Sequence, residues 1–327
     1  MKTNDDALPL VSVAMVAYRQ AHLIERAIKG VARQKAPFRI ELIVVDDCSP
    51  DDTYEVAKRM QRRYPDIVRA FRNESNIGLQ RNYLRAFGRC RGKYLALCDA
   101  DDYWCDHSKL RRQVEYMEAH PECAVTFHRV INHYAGTGVK SLSNPRQKTD
   151  CGIAELSRGN FITNCSVVYR RELVDLKSLP AWISKNVWPD YPVHMLYAAK
   201  GDIHYFSRPM AVYRQGDKGA WTTAGEYGRQ SKALNVRRHL LEEFAGRTEA
   251  EEGLKMAVRN ILVVMTTCAP NEAERQKAIA ELKASYGLSE EQINDLAESR
   301  KQRRSPLQRI LTGGRKFVSL FIPLPRP

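Results

Sequence analysis

The chain has 327 residues, 43% hydrophobic and 28% charged, which is ordinary for a soluble globular protein. It carries 52 Lys and Arg against 38 Asp and Glu, a net charge of +14 that favours anionic partners: nucleotides, nucleic acid or acidic lipid headgroups. The eight cysteines are scattered with no C-x-x-C pair, which argues against zinc. No apolar run approaches the roughly 18 residues of a membrane span, and the short, polar, acidic stretch from Met1 to Pro9 is no signal peptide, so a cytoplasmic location is expected.

Strand and helix signals alternate from the start. Val11–Ala17 (VSVAMVA) is a continuous apolar run of strand length, as in a buried parallel strand. Leu23, Ile24, Ala27, Ile28 and Val31 recur at helical spacing. Glu41–Val45 is a second strand and leads into Asp46-Asp47-Cys48-Ser49-Pro50-Asp51-Asp52, where Ser49 reads as an N-cap, Pro50 as the first helical residue and Asp52 as the capping-box acid. The next helix carries Val56, Ala57, Met60 and Tyr64 on one face. Ile67–Phe71 is a third strand, Gly78–Phe87 a helix, and Lys93–Cys98 a fourth strand that runs straight into Asp99-Ala100-Asp101-Asp102. Leu110, Val114 and Met117 mark another helix, and Cys123–Val130 another strand.

Residues 131–160 are richer in Gly, Ser, Asn and Pro and read as loops. Signals return at Ser166–Tyr169 and Val193–Ala199, and from about Tyr227 the pattern is helical and charged. Arg303, Arg304, Arg309, Arg315 and Lys316 alternate with Leu307, Ile310, Leu311, Phe317 and Phe321 in a basic amphipathic tail.

Alternating strands and helices predict right-handed crossovers and a mostly parallel sheet covered on both faces. Such sheets bind ligands at the carboxyl ends of their strands. Asp46-Asp47 and Asp99–Asp102 both come directly after predicted strands, so both fall on that edge. Three carboxylates within four residues repel one another, and a hard cation between them relieves the repulsion. Such oxygen ligands suit Mg²⁺ or Mn²⁺, which then bridge to phosphate. An exposed acidic turn is the alternative.

These pieces together resemble the family 2 glycosyltransferases of the GT-A fold. Val11-Ser12-Val13 to Ala17-Tyr18-Arg19 resembles the family's opening strand and nucleotide-contacting loop. Val44-Val45-Asp46-Asp47-Cys48-Ser49 resembles its V-V-D-D-G-S, Asn76-Ile77-Gly78 to Arg81-Asn82 its N-x-G…R-N helix entry, and Tyr94 to Asp102 its Y-x-x-x-L-D-A-D-D. The resemblance implies an α/β fold with a Rossmann-like, mostly parallel sheet flanked by helices, over residues 1–226, and a helical C-terminal region over 227–327. It implies inverting, non-processive transfer of a single sugar, of hexosyltransferase type, from a nucleoside-diphosphate sugar, expected to be a UDP-sugar. The acceptor is expected to be a saccharide or lipid-linked saccharide in surface polysaccharide or glycolipid assembly.

The resemblance also carries residue roles. Asp47, with Asp46, contacts the donor's base, and Ala17, Tyr18 and Arg19 line that pocket. Asp99 sits near the ribose and is a second candidate for the metal, while Asp101, of the DxD motif, binds Mg²⁺ or Mn²⁺ on the diphosphate. Asp102 caps the segment after it. Arg81 counters diphosphate charge or lies on a solvated helix face. Asp190, after Trp188-Pro189, is the expected base that takes the acceptor's hydroxyl proton; it also reads as a helix N-cap. The family often has a His two residues after Arg214, where this chain has Gly216, leaving Asp217 or water as the substitute. Trp221 is a sugar platform or core.

The charge surplus comes without a nucleic-acid-binding signature, so no nucleic-acid partner is expected. The basic tail fits an anionic membrane surface, giving peripheral association, or packs on the chain. The competing classes are a nucleotidyltransferase, which would show a Gly- and Lys-bearing phosphate loop where Tyr18-Arg19-Gln20-Ala21 stands, and a non-catalytic membrane- or nucleic-acid-binding module.

Overall fold

The computed structural model describes residues 11–186, 190–216 and 224–303. They fall into two compact units: 11–156 with 160–215, and 157–159 with 216 and 224–303.

The first unit is built on a ten-stranded sheet. Its strands and helices come in the order β1 (Val11–Ala17), α1 (Ile24–Ala32), β2 (Ile40–Asp46), α2 (Thr53–Arg63), β3 (Val68–Arg72), α3 (Leu79–Phe87), β4 (Tyr94–Leu97), β5 (Tyr103–Trp104), α4 (Lys109–Ala119), β6 (Cys123–Tyr134), β7 (Lys140–Leu142), β8 (Asp150–Cys151), α5 (Ile153–Arg158, which runs into the other unit), β9 (Val168–Arg170), α6 (Ala181–Asn186), α7 (Asp190–Ala198) and β10 (Asp202–Gln215). The strand order is β3-β2-β1-β4-β9-β6-β10-β5, with β7 on β6 and β8 on β10. The first four are parallel, as are β6 and β10, while β9 runs antiparallel between β4 and β6. The mixed α/β architecture matches the expectation.

Every residue of β1 is buried, which is why VSVAMVA shows no alternation: helices cover both faces of the parallel half. Register brings the strand ends level. Ala17 lies opposite Asp46, Asp46 opposite Arg72, and Ala14 opposite Leu97. The chain leaving β4 then stays beside β1, with Cys98 N–H donating to the Ala14 carbonyl (3.1 Å) and Ala100 N–H to that of Val16 (3.3 Å). The segments Asp46-Asp47 and Asp99–Asp102 therefore share one edge, as sequence spacing predicted.

At the opposite, amino edge, a buried polar knot closes the sheet. Ser12 donates to Glu41 (2.6 Å), Gly92 N–H donates to the Ser12 hydroxyl (2.7 Å), and Arg91 binds Glu41 through its backbone N–H (2.9 Å) and its guanidinium (2.9 Å).

Two expectations need correction. Ser49 does not cap α2: the helix starts at Thr53, and the Ser49 hydroxyl is taken by Asp46. Residues 131–160 are not all loop. They contain the end of β6, β7, β8 and all of α5, because β6 pairs with β10 as far as Tyr134–Gln215 and polar residues such as Asn132 and His133 are carried along in that ladder.

The second unit's helices are α8 (Gly225–Glu243), α9 (Thr248–Cys268), α10 (Glu272–Tyr286) and α11 (Glu290–Arg303). They enclose a core that includes Leu234, Val258, Leu262, Ile279, Leu282 and Ile293. Asn271 caps α10 by accepting from Glu274 N–H (2.9 Å), and Gly287 ends it in the left-handed conformation (φ 63°). Among the described residues, no helix is long and apolar enough to cross a membrane.

Candidate functional site

The loops after β1 and β2 are wound tightly together. Each contains a non-glycine residue in the left-handed region, Arg19 (φ 57°) and Cys48 (φ 55°). Asp46 holds the pair: Ser49 donates to it through its hydroxyl and through its backbone N–H (3.0 Å), and the Ser49 hydroxyl accepts from Arg19 N–H (3.0 Å). Burial raises the Asp46 pKa, more than the Ser49 hydrogen bonds and the Arg72 charge lower it. Asp47 reaches the other way, accepting from Asn73 Nδ2 (2.8 Å), Ile77 N–H (2.9 Å) and Gly78 N–H (2.9 Å). Asn73 also bonds Asn82 (2.9 Å), so β2 is tied to the start of α3.

Both carboxylates are thus buried and committed to internal hydrogen bonds. What these loops turn outward is Tyr18, 40% exposed, and the exposed Arg19, whose guanidinium lies 5.2 Å from the Tyr18 ring centre. Ala17 is buried beneath them. Arg81 is exposed on the first turn of α3 and has no side-chain hydrogen bond or ion pair among the described residues.

Asp99 is gripped from two sides. The Tyr83 hydroxyl of α3 donates to its Oδ1, and Asn164 Nδ2, from the 3₁₀ turn Asn164–Ser166, donates to its Oδ2 (3.0 Å). The same Asn164 amide donates to the Tyr83 oxygen (2.6 Å). Burial raises the Asp99 pKa while these two donors pull it down.

Asp101 and Asp102 diverge. Asp101 has no hydrogen bond from another side chain among the described residues. Burial, and then the Asp99 charge, push its pKa up to about 6. Asp102 turns inward and does not cap the segment after it. It is buried, and its Oδ1 accepts from Arg214 N–H on β10 (2.8 Å), 112 residues away.

This division bears on a cation. Among the described residues, no three His, Cys, Asp or Glu side chains form a ready metal cluster. Mg²⁺-type ions need none, since one or two carboxylates with substrate phosphates and water suffice. Asp101, half-buried and with its carboxylate uncommitted, fits that demand. Asp99 fits it less well, because both of its oxygens are taken.

Asp190 opens α7 and faces the same group. Its pKa is raised by burial first, with a further contribution from the Asp99 charge. The charges of Asp99, Asp190 and Asp101 all raise the Tyr83 pKa, which burial has already pushed well up. A small recess beside them is lined by Tyr83, Phe87, Leu97, Asn164, Asp190 and Val193. His194, one turn along α7, is fully buried and bonded to Tyr169; burial lowers its pKa to about 3, so it stays neutral core.

No sequence signal marks Tyr83 or Asn164. Tyr83 reads as one more apolar position of α3, and Asn164 falls in a polar stretch of no period. Only the fold, bringing them together across 81 residues, gives them a role. Trp188, Pro189, Asp217 (the candidate in place of the family's His), Trp221 and the basic tail beyond Arg303 lie outside the described residues.

Residues 12–176 match the family description "Glycosyl transferase family 2". The chain is 36% identical over 231 residues to Rv1520 of Mycobacterium tuberculosis, an alignment that covers 70% of this chain and 65% of that one, just under two thirds of the relative's length. Among solved structures it is similar to the mannosyltransferase PcManGT of Pyrobaculum calidifontis in complex with GDP-Man and Mn²⁺ (TM-score 0.63, 17% identity, 94% of this chain and 84% of that one). It is also similar to residues 1–349 of TarS from S. aureus in complex with UDP-GlcNAc (TM-score 0.59, 16% identity, 90% and 92%). The sheet with an acidic edge is that of a GT-A glycosyltransferase fold. The chain belongs to glycosyltransferase family 2.

Proposed function

We propose that the chain transfers a single sugar from a nucleoside-diphosphate sugar to an acceptor hydroxyl, with inversion at the anomeric carbon. The observation that carries this reading is the convergence of Asp99, Asp101 and Asp190 around Tyr83 at the carboxyl edge of a family 2 sheet. Asp101 would hold Mg²⁺ or Mn²⁺, whose charge would offset that of the leaving diphosphate. Asp99, fixed by Tyr83 and Asn164, stands beside the ribose. The base packs against Ala17, Tyr18 and Arg19, on loops that Asp46 and Asp47 shape, and Arg81 adds positive charge toward the diphosphate. Asp190 takes the acceptor's proton; its raised pKa suits a base working near neutral pH.

The donor is proposed to be a UDP-hexose. GDP-Man bound to PcManGT and UDP-GlcNAc bound to TarS support the class and leave the base to experiment. The acceptor is proposed to be a saccharide or lipid-linked saccharide of a surface polysaccharide or glycolipid.

The test is a screen of nucleotide sugars for Mn²⁺-dependent binding by calorimetry and for donor hydrolysis, with Asp190→Asn alongside. The variant is expected to bind donor within about twofold of the parent and to lose about 10²–10⁴ in transfer rate, the usual contribution of a general base. Full activity in that variant removes Asp190 from the role. Cation-independent binding removes Asp101 from its own.

A further inference from the structure

The hydrogen-bond inventory of the recess beside Asp190 is one-sided. Tyr83 has one proton, and it goes to Asp99. Asn164 has two amide protons, one used on the Tyr83 oxygen and one on Asp99. Reversing that amide would set its oxygen against a carboxylate, so chemistry fixes which end is which. The Asn164 Oδ1 atom is then left buried with no hydrogen-bond partner among the described residues. The other lining residues are Asp190 and the apolar Phe87, Leu97 and Val193. Among the described residues, side-chain acceptors remain in this recess, while every neutral side-chain donor is spent and no Lys or Arg lines it.

A buried acceptor without a partner is costly unless a ligand or water supplies a proton. We infer that Asn164 is a sugar-binding residue whose Oδ1 accepts a hydrogen bond from a hydroxyl of the donor's sugar. The inference rests on the proposed function and adds to it a specificity residue that the acidic motifs do not contain.

The experiment compares two ligands, the nucleoside diphosphate and the corresponding nucleoside-diphosphate sugar, bound with Mn²⁺ to the full chain, to Asn164→Ala and to Tyr83→Phe. Thermal melts check that each variant is folded. In Asn164→Ala the ratio of sugar-bearing to sugar-free affinity is expected to fall about tenfold, the scale of one hydrogen bond. Tyr83→Phe loosens Asp99 but keeps the Asn164 oxygen, so its ratio stays within about twofold of the parent. One of a set of monodeoxy donors should show the same tenfold loss with the parent chain and no further loss with Asn164→Ala.

Equal losses for both ligands in Asn164→Ala, or no loss, overturn the inference and leave the proposed function standing. A ratio that falls as far in Tyr83→Phe overturns it too. Failure of the unaltered chain to bind either ligand overturns the proposed function and this inference with it.

Discussion

Asp101 concentrates the conflict between stability and use. Its folded pKa of about 6 lies above the ordinary 3.8, so the fold favours the protonated form. The corresponding stability is complete below about pH 3.8 and is lost as pH rises through about 6. At neutral pH without a cation, Asp101→Asn is therefore expected to melt higher than the parent, with the gap closing toward pH 4. Mn²⁺ should raise the melting temperature of the parent and not of the variant. Differential scanning fluorimetry across pH, with and without Mn²⁺, reads both effects. Cys48 is a second residue-scale conflict. It stands where the family pattern has Gly, in a left-handed conformation that costs a side-chain-bearing residue about 1–2 kcal/mol. Gly removes that strain but adds about 0.4–1 kcal/mol of unfolded-state freedom. Its thiol contact, to the Glu74 carbonyl at 3.6 Å, is weak. Cys48→Gly is expected to stabilise by about 0.8 kcal/mol in urea unfolding, the difference between the midpoints of those two effects, with nucleotide affinity unchanged. The acidic residues were legible in the sequence because charge at a strand end is conspicuous. Their orientations were not: that Asp102 turns to β10, and that Asp46 and Asp47 face inward, depends on partners distant in the chain.

At the scale of elements, the parallel half of the sheet was legible to within a residue or two, because β1, β2 and β4, buried on both faces, are written as largely apolar runs, while β3 at the edge is mixed. The antiparallel additions β7 and β8 were not, being two or three residues long and partly polar, whereas β9 overlaps the signal read at Ser166–Tyr169. The amino edge offers a prediction that separates stability from function. Glu41 is 4% exposed, and although burial raises its pKa, bonds from Ser12 and Arg91 with the Arg91 charge bring it below the ordinary value. Its contribution is thus present above the usual carboxylate range and lost as pH falls. Glu41→Gln keeps the shape and removes the charge. It is expected to cost about 1.5–3 kcal/mol in denaturant unfolding, the range for hydrogen bonds to charged groups, and to leave transfer kinetics unchanged, since the knot lies at the edge remote from Asp99 and Asp190.

For the whole molecule, the +14 charge is the property that no single site explains. Nucleotide binding needs few cations, and part of the surplus lies among the helices and tail after residue 226. Truncation after Ser305 removes Arg309, Arg315, Lys316 and Arg326 together with the apolar residues between them. It is expected to reduce co-sedimentation with anionic lipid vesicles, and the parent's association should itself weaken as salt shortens the screening length from about 10 Å at 0.1 M to about 3 Å at 1 M. Unchanged sedimentation would assign the tail to packing.

The grip on Asp99 has a consequence in time as well as in space. Its two donors stand on opposite sides of it in the chain, Tyr83 before and Asn164 well after. During synthesis the parallel strands β1 to β4 and their acidic edge emerge first, and domains begin to organise as they leave the ribosome. Until residue 164 has emerged, that edge holds clustered carboxylates with one clasp missing. Asp99 therefore reaches its final setting only once the 3₁₀ turn Asn164–Ser166 has emerged and packed against α3.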